Sequence, residues 1–304
     1  MLHRFSKCLV GCTILLILAG SLVTSHGAGL SVPDWPTSYG WNMFTFPPSM
    51  WVGNILFEHG HRLVASGVGV LTIVLVAWLW AAATPSWLRW FGVAGLCVVI
   101  AQGLLGGITV RFFLPPAVST AHAALAEMFF CITVAIALFT SPQWRSHAAR
   151  VDDQRLRRIA TATTALVYCQ ILVGATMRHT GAGLAIPDFP FMFGHLVPNH
   201  WNAGIAVHFA HRLGATVVVT AVSATAFEIW RYHRGRLELA GPAGVLLMAV
   251  VAQVTLGASV VLSRLQPWVN SAHVVVGATV LATSLVIALR SWQSRLPRWT
   301  PTHP

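Results

Sequence analysis

Apolar residues in this chain gather in runs of about 20 rather than alternating with polar ones. Eight runs stand out, at residues 8–25, 57–80, 87–110, 117–140, 158–178, 203–228, 240–262 and 270–290. Each is long enough to cross hydrocarbon as a helix, and none shows the period-two pattern of a barrel strand. Lipid offers no hydrogen bonds, so each segment must satisfy its own backbone, and the helix does so. The pattern predicts an all-α integral membrane protein with eight transmembrane helices.

Composition agrees. Of 304 residues, 56% are apolar and only 9% charged, against about 25% charged in soluble chains. A soluble enzyme is excluded, and the lipid bilayer is the solvent for most of the surface. Eight crossings put both termini on one side. Arg4, Lys7, Arg89, Arg145, Arg150, Arg155, Arg157, Arg158, Arg231, Arg234, Arg236, Arg290, Arg295 and Arg298 fall on that side, against Arg111, Arg178 and Arg264 on the other. Basic loops face the cytoplasm, which predicts cytoplasmic termini. The net charge of +11 is thereby explained by topology, and no nucleic-acid partner is expected. Arg4 and Lys7 before the first run resemble a signal peptide, but a later counterpart of the first run argues for a retained helix. Cys8, Cys12, Cys97, Cys131 and Cys169 fall in or beside the runs, so no disulfide framework is expected in the outer loops.

The chain repeats itself. Gly27-Ala-Gly-Leu-Ser-Val-Pro-Asp-Trp-Pro36 returns as Gly181-Ala-Gly-Leu-Ala-Ile-Pro-Asp-Phe-Pro190, His61-Arg62 as His211-Arg212, and Thr120-Ala-His122 as Ser271-Ala-His273. Gln102 with Gly106 returns as Gln170 with Gly174 and as Gln253 with Gly257. An ordered series of this kind predicts two four-helix bundles of like orientation, related by a pseudo-twofold axis along the membrane normal. The halves span residues 1–141 and 158–304, joined by a cytoplasmic linker, residues 142–157.

The repeat sorts the 14 histidines. His61 and His122 fall near the outer ends of two spans that run in the same direction, and His211 and His273 repeat the arrangement. Two parallel helices offering imidazoles at one depth can ligate the iron of a planar tetrapyrrole from both faces. Interhelical hydrogen bonding is the simpler use of a membrane histidine, and zinc is the competing ligation, although zinc favours four ligands. Small residues on the same helices, among them Ala65, Gly67, Gly69, Gly214 and Gly277, would let a macrocycle approach. Arg62 and Arg212 are candidates to pair with its carboxylates or to snorkel to headgroups. Glu58, one turn outside His61, has His208 as its counterpart, so a carboxylate stands beside one site and an imidazole beside the other. Glu58 can serve the chemistry, or cap its helix, or pair with Arg62. Glu127 is expected in helix–helix hydrogen bonding, and His59 at the interface. The Pro33–Pro36 and Pro187–Pro190 segments read as rigid outer loops that lid the two sites or supply an aromatic belt.

Glu58-His-Gly-His61-Arg62, Thr120-Ala-His122, His208-Phe-Ala-His211-Arg212 and Ser271-Ala-His273 resemble the haem A synthase family of bacterial type, over nearly the whole chain. The resemblance implies oxidation of the C8 methyl of haem O to a formyl group, giving haem A for terminal oxidase assembly. It implies that His61 and His122 hold substrate or product haem with Glu58 as the catalytic carboxylate, and that His211 and His273 hold a permanent haem b. Glu58 would then stabilise positive charge on the methyl carbon and orient a water. Haem O synthase, the terminal oxidase assembly machinery and a second copy of the chain are the partners it suggests. Many members carry a cysteine pair in the first outer loop; residues 26–56 here contain none. A non-enzymatic dihaem b electron carrier is the rival that composition and histidine spacing fit equally well.

Overall fold

The computed structural model describes residues 1–82, 84–146 and 151–296. Among them there is no β-strand, and eight helices are long and apolar enough to cross a membrane. These are α1 (Leu2–Ser25), α2 (Asn54–Ala81), α3 (Ser86–Arg111), α4 (Pro116–Phe139), α6 (Gln154–His179), α7 (Ala203–Tyr232), α8 (Leu237–Leu262) and α9 (Pro267–Trp292), with a single-turn helix, α5 (Pro142–Arg145), following α4. The chain is a multi-pass membrane protein. Every expected span is present, and most extend by a few residues into polar sequence. The largest extension is at α1, which takes in Arg4 and Lys7; α6 begins at Gln154 rather than 158, and α7 runs to Tyr232 rather than 228. Asp153 starts α6 early by accepting from the amides of Arg155 and Leu156 at 2.8 and 3.1 Å, capping that hydropathy alone does not register. Arg150 and Arg298, assigned above to the cytoplasmic side, lie outside the described residues.

Two compact units divide the described residues, one of residues 1–146 with Leu296 and one of residues 151–295. In the first, α1 packs on α2 and α4, and α3 packs on the same two helices, closing a four-membered ring. The second repeats this with α6 on α7 and α9, and α8 on α7 and α9. Small residues allow the close approach that lipid-embedded helices depend on. A Cβ on Gly92 of α3 would meet Leu79 of α2 at 2.6 Å, and one on Gly95 would meet Ile132 of α4 at 3.0 Å. In the second unit Thr163 of α6 shares a hydrogen bond with Thr225 of α7 at 2.9 Å. At the end of the same pair of helices His233 meets Asp153 at 2.9 Å and Arg155 meets the buried Glu228 at 3.3 Å. All five cysteines sit on helices with free thiols.

Candidate functional site

The four repeated histidines lie six to eight residues inside α2, α4, α7 and α9, a depth of about 9–12 Å at about 1.5 Å per residue. In each case the imidazole rests on a glycine of the neighbouring helix. A Cβ on Gly20 of α1 would stand 2.9 Å from Cε1 of His61, and one on Gly106 of α3 would stand 3.1 Å from that of His122. In the second unit Gly174 of α6 faces His211 at 2.8 Å and Gly257 of α8 faces His273 at 3.1 Å. The close-approach glycines are therefore on the facing helices. A Cβ on Gly67 or Gly69 would meet nothing within 4 Å, while Gly214 and Gly277 face the side chains of Gln170 and Gln253. The signal in the sequence was the recurring Gln-x-x-x-Gly, whose partner glycine at 20 lacks the glutamine.

The rings of His211 and His273 have centroids 6.5 Å apart. A metal–imidazole bond of about 2 Å, plus about 1.1 Å from nitrogen to ring centre on either side, gives about 6.3 Å for two imidazoles sharing one ion. The separation is that of two imidazoles able to share one ion. His61 and His122 are near enough to interact electrostatically. Nδ1 of His61, His122 and His273 is buried without a hydrogen-bond partner, as are Oε1 of Gln102 and Gln253. A buried polar atom left unpaired costs about 1–3 kcal/mol, so their concentration at two places marks sites built for a bound polar or metal-bearing group. Among the described residues no group of three or more His, Cys, Asp and Glu could hold a metal ion, which disfavours a zinc centre. The residues fit a group that takes two imidazoles and fills the rest of its coordination itself.

Over each site lies a loop of matching construction. Asp34 accepts from the amides of Tyr39 and Gly40 at 2.7 and 2.9 Å, and Asp188 from those of Phe193 and Gly194 at 2.8 and 2.9 Å. Tyr39 and Gly40, like Phe193 and Gly194, have positive φ, turning the amides toward the carboxylate. Partial burial works against ionisation of Asp34, but bonds from Gly40, Thr37 and Tyr39 outweigh it and hold the carboxyl below its ordinary range. Asp188 is lowered in the same way, its slight burial overcome by Gly194 and Phe193. Trp35 reaches from its loop onto α3, where a Cβ on Gly107 would lie 2.5 Å from the indole. That glycine is next to the one supporting His122. The second unit carries Phe189 and Ala258 at the two positions, a smaller ring and a larger neighbour.

Arg62 and Arg212 anchor these loops. Arg62 donates to the carbonyls of Val32, Asp34 and Thr37 at 2.7, 2.7 and 3.0 Å, and Arg212 to those of Ile186, Asp188 and Phe191 at 3.1, 2.7 and 3.0 Å. Glu58 completes the first latch: Oε1 accepts from Arg62 at 2.6 Å and Oε2 from the amide of Val32 at 2.8 Å. His208 occupies the corresponding place, its Nδ1 lying 3.2 Å from the carbonyl of Ala182 and 3.3 Å from the amide of Ile186, so that it holds the loop as donor to the one or acceptor from the other. The structure thus brings Glu58 together with Arg62 and the loop backbone.

Other histidines and acids fall elsewhere. His59, expected at the interface, is fully buried by protein, bonded to Ser38 at 3.1 Å and packed against Phe46 and Trp51. Its burial follows from the Met43–Met50 stretch folding back over the start of α2, which spacing on α2 alone does not reveal. Glu127 is buried with Oε2 unpaired, and among the described residues no side-chain hydrogen bond joins it to another helix. Arg178, counted above as an outer-loop charge, belongs to the last turn of α6 and interacts electrostatically with His273. Thr24 occupies its repeat position in the first unit. A half-buried cation at the second site alone was not legible from loop counting.

Comparison with known proteins matches residues 49–285 to the family model described as cytochrome oxidase assembly protein (COX15-CtaA). The chain is 27% identical over 286 residues to a protein named heme A synthase from Geobacillus kaustophilus, covering 91% of this chain and 88% of that one. It is 28% identical over 257 residues to one of the same name from Shouchella clausii, covering 82% and 83%. With another from Symbiobacterium thermophilum it shares 29% over 257 residues, covering 81% and 80%.

Proposed function

The chain belongs to the cytochrome oxidase assembly protein family, and from that membership we propose that it is a haem A synthase, an oxidoreductase that converts the C8 methyl of haem O to a formyl group. Turning a methyl and one water into a formyl releases four protons and four electrons. The proposal gives His61 and His122 the iron of the substrate. His211 and His273 hold a haem b, with Arg178 and Arg212 as cations for its carboxylates. When bound, that haem supplies one-electron transfer.

The remaining parts are this chain's own. Arg62 and Glu58 clamp the loop carrying Trp35 and so keep bulk water from the first site. Two hydrogen bonds fix the Glu58 carboxyl group in place, in a region where low dielectric strengthens the field of any charge it carries. From there it stabilises positive charge building at the substrate and accepts a proton from water at Oε1 or Oε2. The single observation carrying the reading is the pair of like-built imidazole sites, glycine-backed and loop-covered, of which only the first has a carboxylate in its latch. The proposal places the termini in the cytoplasm of a bacterial inner membrane and the latched loops outside, on the strength of the arginine distribution.

One observation favours a second reading. His208 holds its loop from the place that Glu58 occupies, so the carboxylate has a structural use without chemistry, and a dihaem electron carrier would have both latches too. Acid extraction of the purified protein and mass identification of its haems separates the two. Haem O or haem A beside haem b is the expected result; haem b alone overturns the synthase reading. Glu58→His adds a second test, because it keeps a latch of the kind the second unit uses. It should retain haem and lose haem A formation, and full turnover would remove Glu58 from the chemistry.

A further inference from the structure

Three of the four imidazoles are held by a glutamine from the helix that supports them, one turn before the supporting glycine. Nε2 of Gln102 lies 3.2 Å from Nε2 of His122, and that of Gln253 lies 3.3 Å from Nε2 of His273. Gln170 lies 3.0 Å from Nδ1 of His211 and also donates to that residue's carbonyl at 2.7 Å. The fit is tight: a Cβ on Gly214 would come within 2.1 Å of Oε1 of Gln170, and one on Gly277 within 3.1 Å of Nε2 of Gln253. An amide carries both a donor and an acceptor. The ring nitrogen facing the glutamine, Nε2 of His122 and His273 and Nδ1 of His211, thus has a partner whether it donates or accepts, which leaves the other nitrogen for coordination.

His61 stands apart. Four residues before Gly20 the chain has Leu16, and the polar group of α1 that the His61 ring meets is the Leu16 backbone carbonyl. Its Nδ1 is buried without a partner, as are those of His122 and His273, so the distinction lies in the missing amide alone. Val64, on the ligand helix, replaces the glycine that in the second unit makes room for Gln170. The substitution is therefore coordinated across two helices, with an amide pocket in one unit and two aliphatic side chains in the other. Partners that orient a ligating histidine typically contribute 10–100-fold to metal affinity.

We propose that His61 is the releasable axial ligand of the protein, with Gln102, Gln170 and Gln253 as positioning residues that make the other three permanent. This rests on the haem-binding reading above and deepens it. A site whose haem is substrate must take it up, open one face and let it go, whereas a site whose haem is a cofactor must do none of these. One anchored and one loose ligand suit the first task, and two anchored ligands suit the second.

Carbon monoxide binding to the dithionite-reduced holoprotein tests this, since uptake requires an axial ligand to leave. The native protein should bind CO, at no more than one per two haems. Leu16→Gln should weaken that binding by about 10–100-fold, and Leu16→Met, aliphatic and of similar volume, should leave it unchanged. Gln170→Leu should make the second haem CO-reactive, raising the stoichiometry toward two. Absence of CO uptake by the native protein, or equal uptake by native and Leu16→Gln protein, overturns the proposal. Haems extracted from the same preparation report separately on the synthase reading, because the CO result does not depend on whether the haem is O, A or b.

Discussion

Replacing Gly174 by Ala isolates what the glycine supports contribute. The added Cβ would stand 2.8 Å from Cε1 and 3.2 Å from Nδ1 of His211. Carbon pairs settle at about 3.5–4.0 Å, so the ring must retreat by about 1 Å. A free imidazole makes that move by a small rotation of its side chain. A coordinated one does not, since ligand distances tolerate only about 0.2 Å. The cost thus falls on the loaded protein. Without ligand the variant should match or slightly exceed the native protein, because Ala in a helix interior is favoured over Gly by up to about 1 kcal/mol. With ligand, overpacking of about 1–3 kcal/mol corresponds to a haem Kd weakened by roughly 5- to 150-fold. Gly20→Ala at 2.9 Å should follow, with Gly106→Ala and Gly257→Ala at 3.1 Å affected least. Gly67→Ala and Gly69→Ala, with nothing within 4 Å, are the controls. Soret titration of detergent-solubilised apoprotein with haem, beside thermal unfolding of the same samples, measures both quantities. A Gly174→Ala protein that binds haem like the native one, or that loses stability without ligand, would falsify the argument.

Gly107→Ala should destabilise the first unit by about 1–3 kcal/mol through its clash with Trp35, and Trp35→Phe in the same chain should recover most of the loss. Thermal unfolding of the two single variants and the double variant gives the coupling, and strict additivity would show that the residues do not meet as described. Asp34 and Asp188 have depressed folded pKa values, so their contribution is complete above the unfolded value near 3.9 and disappears as pH falls through the folded one. Limited proteolysis of the two loops should accelerate below about pH 4, and Asp34→Asn with Asp188→Asn should remove that acid step by opening the loops at neutral pH. Loops that stay protected in the double variant would show that the turns do not depend on these carboxylates.

The spans were legible because hydrocarbon imposes one simple demand, and runs of apolar residues meet it openly. Their ends were less so: α6 begins in an arginine-rich turn whose signal is the Asp153 cap. Duplication made the histidine pairs visible at the level of sequence, since it marks positions without any need to know their neighbours. What remained hidden was whatever crosses between helices. Gly20 faces His61 although no motif links the two, and His59 is buried by a stretch of loop remote from its own helix face. Glu58 and Arg62, four residues apart, could be paired from the sequence. That both grip the backbone at Val32 could not, because nothing local specifies how the loop returns.

The duplicated latch also makes the two sites electrically unequal. In the first, Arg62 is ion-paired with Glu58 on the same helix; in the second, Arg212 has His208 in place of a carboxylate, and Arg178 adds another cation that the first unit replaces with Thr24. Positive surroundings favour the reduced form of a metal centre. One unit charge at about 10 Å in an effective dielectric of about 20 is worth about 1.7 kcal/mol, or about 70 mV for one electron. The second site should therefore have the higher reduction potential, a direction that suits an acceptor for electrons withdrawn from substrate at the first. Glu58→Gln keeps the size of the latch and removes its negative charge, so it should raise the lower of two potentials by several tens of millivolts and leave the higher one in place. Spectroelectrochemical titration of native and variant holoprotein reads both values. A lower potential that does not move, or a shift confined to the higher one, would mean that the carboxylate exerts no field at the first site, and the electrostatic role assigned to Glu58 would fall with it.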